Sequence, residues 1–465
     1  MNTLKKITIA FLFVLYLTNY SQVLGQRLKP KGTLGIDYVE ASDSLMRSLR
    51  GLDTRGILVK NIKVGATASN LGIQPGDVIV SVNNIDSLYL YDFAELAKNL
   101  RENEPISITY VRNRRKARVV GNVTTRPREH SVYGDVIYDE VAYGRGYLRS
   151  IMHKPTGSGR FPAVFYIQNY DCNSIDFASD SASTTRQLID GWVKAGFAVF
   201  RIEKPGVGES EGTKGCASLS YLEEVKAFEN GFRTLKKNRF IDSTKVFLFG
   251  YSLGGIVAPL MAAKANIKPR GIITYGTVVK PWFEHMIDVF REQPLLFKES
   301  QQSVDANTRM MTPLLVDWLI AGKTGGELVQ NPDYEAILTS NENPLQYKKG
   351  TFFGRSSVFF SELNQQSIAT AWAQAAVPTL AIHGEMDETD ISPKAAQTIA
   401  AIVNEVKPGK GIFKILKSTD HYFTKVSSYQ EQQKVMESGS YFSQYSPAHF
   451  NPEIIEITTT WMRQN

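Results

Sequence analysis

Cysteine is scarce in this chain: its 465 residues include only two, Cys172 and Cys216. Two thiols exclude a small disulfide-stapled scaffold and a cysteine-rich zinc site. Histidine is scarce too, with six residues, His130, His153, His285, His383, His421 and His449, in no spaced Cys/His cluster. No G-x-x-x-x-G-K-[ST] loop is present, so that type of phosphate cradle is excluded. No motif asks for a metal or an organic cofactor. Beyond the first 25 residues no apolar run is long enough to read as a membrane span. A dominant sign of charge is also missing: 53 basic residues face 46 acidic ones, a formal charge of +7. The basic residues are scattered except for Arg112-Asn113-Arg114-Arg115-Lys116, where a hairpin turn is expected. A solvated turn accounts for that cluster, and nucleic acid is not an expected partner. What remains is a globular composition, 43% hydrophobic and 21% charged, in a chain long enough for two or three domains.

The N-terminus has a recognisable plan. Lys5-Lys6 precede an apolar run from Ile7 to Leu17, and Val23-Leu24-Gly25 offers a small-residue cleavage site. Residues 1–25 therefore read as a signal peptide. The run falls short of the ~20 residues a bilayer span needs, although an uncleaved anchor is the alternative. A cleaved leader implies an exported protein, periplasmic or extracellular, with no integral membrane segment and a remaining charge of +5 once Lys5 and Lys6 are gone.

The chemistry concentrates further on. Val246-Phe247-Leu248-Phe249 runs straight into Gly250-Tyr251-Ser252-Leu253-Gly254-Gly255. A strand-like run ending in G-x-S-x-G, with a helix-compatible stretch behind it, predicts a tight turn that holds a serine hydroxyl clear of a sheet. An activated serine needs a base, and the base needs an orienting acid. A second run, Pro378 to Ile382, ends in His383-Gly384-Glu385-Met386-Asp387. A third, Gly411 to Leu416, leads to Asp420-His421. Asp387 competes with Glu385 and Asp390 for the acid role, and His383 reads as a turn residue rather than the base.

From about Tyr133 onward the chain resembles the α/β-hydrolase superfamily of serine esterases and peptidases. The resemblance rests on GYSLGG at 250–255, HGEMD at 383–387, the pair at 420–421, and Glu203-Lys204-Pro205-Gly206-Val207-Gly208-Glu209-Ser210, which is similar to the D-x-R-G-x-G-x-S turn after the fourth strand of many such enzymes. It implies nucleophile Ser252, base His421 and acid Asp387, in the chain order of that superfamily. One oxyanion donor is then the N–H of Leu253. The other comes from the loop after the third strand, Pro162 to Ile167. There Gln168-Asn169 stands in place of the usual His-Gly-Gly, and the N–H of Asn169 or of Tyr170 is the candidate. Cys172 and Cys216 would lie on the loops after the third and fourth strands, at the same sheet edge. A disulfide clamping the oxyanion loop is expected, with two free thiols as the alternative.

Residues 33–125 form a different module. Ala66-Thr67-Ala68-Ser69-Asn70-Leu71-Gly72-Ile73-Gln74-Pro75-Gly76-Asp77-Val78-Ile79-Val80-Ser81-Val82-Asn83 resembles the A-G-L-x-x-G-D-x-I-x-x-V-N signature of PDZ domains. The resemblance implies that Leu34-Gly35-Ile36 is a carboxylate-binding loop. A peptide C-terminus would add as a strand beside it, against a helix at 92–100 carrying Phe93, Leu96, Ala97 and Leu100 on one face. Residues 40–55 read as an insertion that could cover this groove.

The expected fold is a doubly wound, mostly parallel α/β-hydrolase sheet over 133–465 with a helical cap at about 278–375, plus the small β-rich PDZ-like domain at 33–125 and a linker at 126–132. Leu222, Val225, Phe228, Phe232 and Leu235 suggest one buried helix face. The aromatics of 278–375 suggest a lid favouring an apolar acyl group or side chain; the alternative is that they only pack the lid down, as most of them must. The expected function is an exported serine hydrolase that cleaves carboxylic esters through an acyl-enzyme on Ser252, with small acyl esters as substrates. A serine peptidase of aminopeptidase or dipeptidyl-peptidase type, using the PDZ module to recruit peptide, is the alternative. A binding protein with an inert hydrolase fold is the alternative of another class.

Overall fold

The computed structural model describes residues 27–49, 55–86 and 88–465. The signal-peptide reading of 1–25 and part of the 40–55 insertion lie outside them. The chain divides into two compact units, Met1–Pro127 and Arg128–Asn465.

In the first unit, strands β1 (Ile36–Glu40), β2 (Ile57–Ile62), β3 (Val78–Val82), β4 (Pro105–Arg112) and β5 (Arg115–Asn122) pair antiparallel in that order. Ile57, Val59, Ile79, Ile106 and Ile108 point from the sheet into one core, which Phe93 of helix α1 (Leu90–Asn99) completes. Of the face at 92–100, Phe93 and Leu100 are buried and Leu96 and Ala97 are only half covered. The β4–β5 hairpin turns at Asn113 and Arg114, both at positive φ as a type I′ turn requires. Beside it, Arg112 makes a two-pronged ion pair with the buried Asp77, whose carboxylate also accepts from the Gln74 N–H. The G-D pair of the signature thus fixes a turn. Residues 43–48 of the insertion form a short helix whose first turn is capped by Ser42.

The second unit is built on eight strands: β6 (Gly134–Tyr143), β7 (Gly146–Pro155), β8 (Phe161–Ile167), β9 (Ala198–Ile202), β10 (Ile241–Tyr251), β11 (Gly271–Tyr275), β12 (Thr379–Gly384) and β13 (Gly411–Leu416). Their order across the sheet is β13-β12-β11-β10-β8-β9-β7-β6, parallel from β13 to β9. Strand pleating sends alternate residues to opposite faces. Ala163, Phe165, Ile167, Val246 and Leu248 join one core, and Val164, Tyr166, Phe247 and Phe249 the other. Helices α2 (Tyr221–Lys236), α3 (Gly254–Lys264) and α4 (Lys394–Val406) cover the first face, and the C-terminal helix with Trp461 covers the second. On α2 the buried face is Tyr221, Val225, Phe228, Phe232 and Leu235; Leu222 is 42% exposed, one residue off the stripe the sequence suggested. A capping box of Ser220 and Glu223 starts this helix.

Two features depart from the sequence reading. Glu129, within the stretch read as a linker, is buried and accepts from His153 Nε2, Arg186, Arg201 and the Phe177 N–H. Although burial opposes its charge, Arg201 and His153 hold its carboxyl far below the usual range. The inserted segment between β11 and β12 is helical, but its large aromatics do not form a lid lining. Trp318, Phe352, Phe359, Phe360 and Trp372 are fully buried in the core of the first face. Each ring gains more by close packing than by standing in a wet cleft.

Candidate active site

Strand β8 lies between β9 and β10, so the chain leaves β8 toward one side and returns on the other. Open α/β sheets form their ligand crevice beyond the strand ends at such a reversal. The loops after β8 and β10 carry residues 168–172 and Ser252.

Ser252 sits at φ +51°, the left-handed conformation that a nucleophile elbow imposes. Its N–H is tied to the Tyr275 carbonyl at 2.9 Å, and helix α3 begins two residues later. The turn admits no bulk: a Cβ on Gly254 would lie 2.1 Å from the Ile167 carbonyl oxygen, and one on Gly250 2.5 Å from that of Gly254.

His421 Nδ1 lies 2.9 and 3.0 Å from the two oxygens of Asp387. Of the competing acids, Asp390 stands 3.9 Å away, and Glu385 is engaged outside with Lys417 and the Ser418 N–H. Asp387 Oδ1 also accepts from the N–H groups of Thr389 and Asp390, which fixes its plane. Burial alone would favour the neutral imidazole. The carboxylates of Asp387, Asp390 and Glu388 outweigh it and raise the His421 pKa above the usual range. Reciprocally, burial opposes the charge on Asp387, but His421 holds that carboxyl low. His383 is kept neutral by burial, which lowers its pKa, and so is His285. Gly276 supports the pair from below: a Cβ there would fall 2.7 Å from Asp387 Oδ2 and 2.9 Å from His421 Nδ1.

Sequence reasoning missed the supports. Buried Asp420 accepts from the N–H groups of Tyr422 and Thr424 and from Tyr441 and Gln432, so it pins the loop that carries His421. Buried Glu203 does the same for Ser174 and Ile175. A D-H pair or an acidic turn residue carries no sequence mark of such partners.

Ser252 and His421 line one cleft of about 490 Å3, together with Gln168, Asn169, Tyr170, Asp171, Tyr251 and Tyr422. None of its lining residues comes from 278–375; that segment instead packs Phe353 and Phe360 against the Tyr170 ring. The amides of Leu253, Asn169 and Tyr170 donate to no atom among the described residues. Cys172 and Cys216 are joined by a disulfide, with Cα atoms 5.8 Å apart. In the first unit, Leu34, Gly35 and Ile36 line a smaller cleft of about 260 Å3 with Tyr38, Ala97, Lys98 and Arg126. Gly35 is at φ +67°, and among the described residues strand β1 pairs only with β2, which leaves its other edge open. No helix among the described residues is long and apolar enough to cross a membrane.

Two family profiles match the chain, in different parts of it. The sequence profile of the family described as serine aminopeptidase, S33, matches residues 178–422, and that of the PDZ domain matches residues 25–97. Esterase FrsA of Enterobacter sp. (strain 638) is 25% identical over 137 residues, 29% of this chain and 30% of that protein. A probable periplasmic serine endoprotease, DegP-like, of Pseudomonas fluorescens is 34% identical over 84 residues, 18% of this chain and 17% of that protein. The chain thus spans under a third of the length of the curated relatives it matches. Among solved structures, carboxyl esterase 2 of the fungus Tuber melanosporum aligns over 73% of this chain and 89% of its own, with 12% identity and a TM-score of 0.41.

Proposed function

We propose that this chain, which belongs to the serine aminopeptidase S33 family of α/β serine hydrolases, cleaves carboxylic esters through an acyl-enzyme on Ser252. One observation carries the reading: a serine at a left-handed elbow shares a cleft with an imidazole whose Nδ1 is held by a buried carboxylate. With Nδ1–H committed to Asp387, Nε2 is the ring nitrogen left to take the Ser252 proton as the hydroxyl attacks the acyl carbon. The N–H of Leu253 and one N–H of the Asn169–Tyr170 stretch would hold the oxyanion. The alcohol leaves with the proton from His421, and a water activated by the same imidazole releases the acid. A p-nitrophenyl ester assayed beside an aminoacyl anilide tests the assignment; a chain that turns over neither, and takes no fluorophosphonate, is not this enzyme.

A second reading, an aminopeptidase-like activity, is favoured by Asp171. It is the one carboxylate on the cleft wall, where no lysine or arginine stands among the described residues. A substrate ammonium would find its counter-ion there. Asp171→Asn is therefore expected to raise KM for an aminoacyl anilide about tenfold, the size of one exposed charge-assisted contact, and to leave a neutral ester unaffected. Equal effects on both substrates would remove the basis for the peptidase reading.

We further assign residues 33–125 to a PDZ module and 133–465 to the catalytic part, with 278–375 as its helical insertion, and 126–132 to a connector whose Glu129 is anchored in the catalytic part. The positive Lys98 and Arg126 at the cleft of Leu34-Gly35-Ile36 suit a peptide C-terminus added along β1. With the full-length Ser252→Ala chain, amidating a fluorescent peptide's C-terminus is expected to weaken its binding by at least tenfold in anisotropy titrations; unchanged binding would rule out carboxylate capture. Export to the periplasm or beyond is supported by the leader-like N-terminus and by the disulfide, which suits an oxidising compartment.

A further inference from the structure

Behind the cleft, on the side away from Ser252's own strand, lies a buried ionic triad that the mechanism does not use. Lys204 comes from the turn after β9, Glu224 from α2, and Arg355 from the inserted segment. The Lys204 ammonium is 3.0 Å and the Arg355 guanidinium 2.7 Å from Glu224, and none of the three side chains is more than 1% exposed. Charges buried this deeply are costly to keep. Both cations also donate to one loop. Lys204 donates to the carbonyls of Asn169 at 2.6 Å and Asp171 at 2.9 Å, and Arg355 to that of Tyr170 at 2.5 Å. Three successive carbonyls are therefore held by charge-assisted hydrogen bonds, and the next residue, Cys172, is locked to Cys216.

The direction of pull matters. In a trans peptide the C=O of one residue and the N–H of the next point in opposite directions. Drawing the Asn169 carbonyl toward Lys204 turns the Tyr170 N–H the other way, and that amide has no acceptor among the described residues. The Tyr170 ring, held by Phe353 and Phe360 of the insertion, prevents the peptide from flipping.

We propose that Lys204 and Arg355 are positioning residues of the oxyanion site: they grip the carbonyls of residues 169–171 and so present the Tyr170 N–H, rather than that of Asn169, to the substrate oxygen. The inserted segment then serves the site through Arg355 and not as an aromatic lid. This rests on Ser252 being the nucleophile.

The test compares Arg355→Met, Arg355→Lys and Glu224→Gln in the full chain. Displacing an oxyanion donor lowers kcat without weakening ground-state binding. Arg355→Met is expected to lower kcat for a p-nitrophenyl ester about a hundredfold, with KM changed less than threefold, and to slow fluorophosphonate labelling in parallel. Arg355→Lys, which keeps a cation behind the loop, is expected to recover at least tenfold of that loss. Glu224→Gln, which frees both cations to move, is expected to lower kcat in the same way and gives a second measurement where Arg355→Met does not fold. Folded variants with wild-type kcat, or with the loss confined to KM, would overturn the proposal. A wild-type chain with no turnover and no label would instead overturn the nucleophile assignment beneath it.

Discussion

Replacing Ser252 by alanine is expected to lower kcat for an activated ester by about 10^6-fold and to abolish fluorophosphonate labelling, since removal of a triad nucleophile leaves only binding and oxyanion stabilisation to act. The fold is expected to survive the change. Serine and alanine share a Cβ, so the strain of holding residue 252 at φ +51° is the same in both. The anchoring bond of the turn is the Ser252 N–H to the Tyr275 carbonyl, which the substitution keeps. A melting temperature within a degree or two of wild type would separate loss of chemistry from loss of structure. His421→Ala is expected to cost nearly as much, and the double variant no more than either single one, because the two side chains act as a unit. Residual labelling in Ser252→Ala would mean that the nucleophile lies elsewhere. Undiminished turnover would end the acyl-enzyme reading.

The sequence disclosed the site where local spacing and the physics of the site coincide. The apolar, β-rich run before GYSLGG reads as a strand ending in an elbow, and its residues do divide between the two faces of the sheet. The glycines of that motif are legible because a tight elbow allows no Cβ next to backbone oxygens. Supporting charges were illegible for the opposite reason. Glu129, Lys204, Glu224 and Arg355 each meet an opposite charge from residues tens of positions away. In a single sequence a buried, paired charge looks like a solvated one, and composition argues for the solvated reading. The aromatics of 278–375 show the converse limit. Their number signalled a packed insertion, but periodicity cannot say whether a ring faces a cleft or a core, and here Trp318 and Phe352 stack 4.0 Å apart in the core. Leu222 and Tyr221 exchanged places because two adjacent apolar residues fit a helical stripe almost equally well, and tertiary packing chose the larger ring.

The acid of the site gives the second large effect, and its sign can be worked out. Asp387→Asn is expected to lower kcat near neutral pH by about 10^4-fold, the cost of losing the imidazole's tautomer and the partner of its imidazolium. Only neutral His421 can take the serine proton, so the acidic limb of kcat/KM reports its ionisation in the free enzyme. The carboxylates around it stabilise the charged form, which places that limb above the ~6.5 of a free imidazole. Removing any one of them must move it down. Asp390 stands 3.9 Å from Nδ1 and its Oδ2 has no hydrogen-bond donor among the described residues, so it acts on His421 by charge alone. Asp390→Asn is therefore expected to lower the limb by about one pH unit, with a far smaller drop of the plateau than Asp387→Asn. Two neighbours titrate inside the profile: burial and the charge of Asp387 raise the Asp390 carboxyl to about 7, and burial and Glu388 raise that of Asp420 to about 7. Burial keeps His383 and His285 neutral and raises the Tyr251 and Tyr422 hydroxyls out of the range. Profiles of kcat/KM from pH 5 to 10 for the three chains decide the matter. A limb that rises in Asp390→Asn, or a plateau retained in Asp387→Asn, would show that another group orients the base.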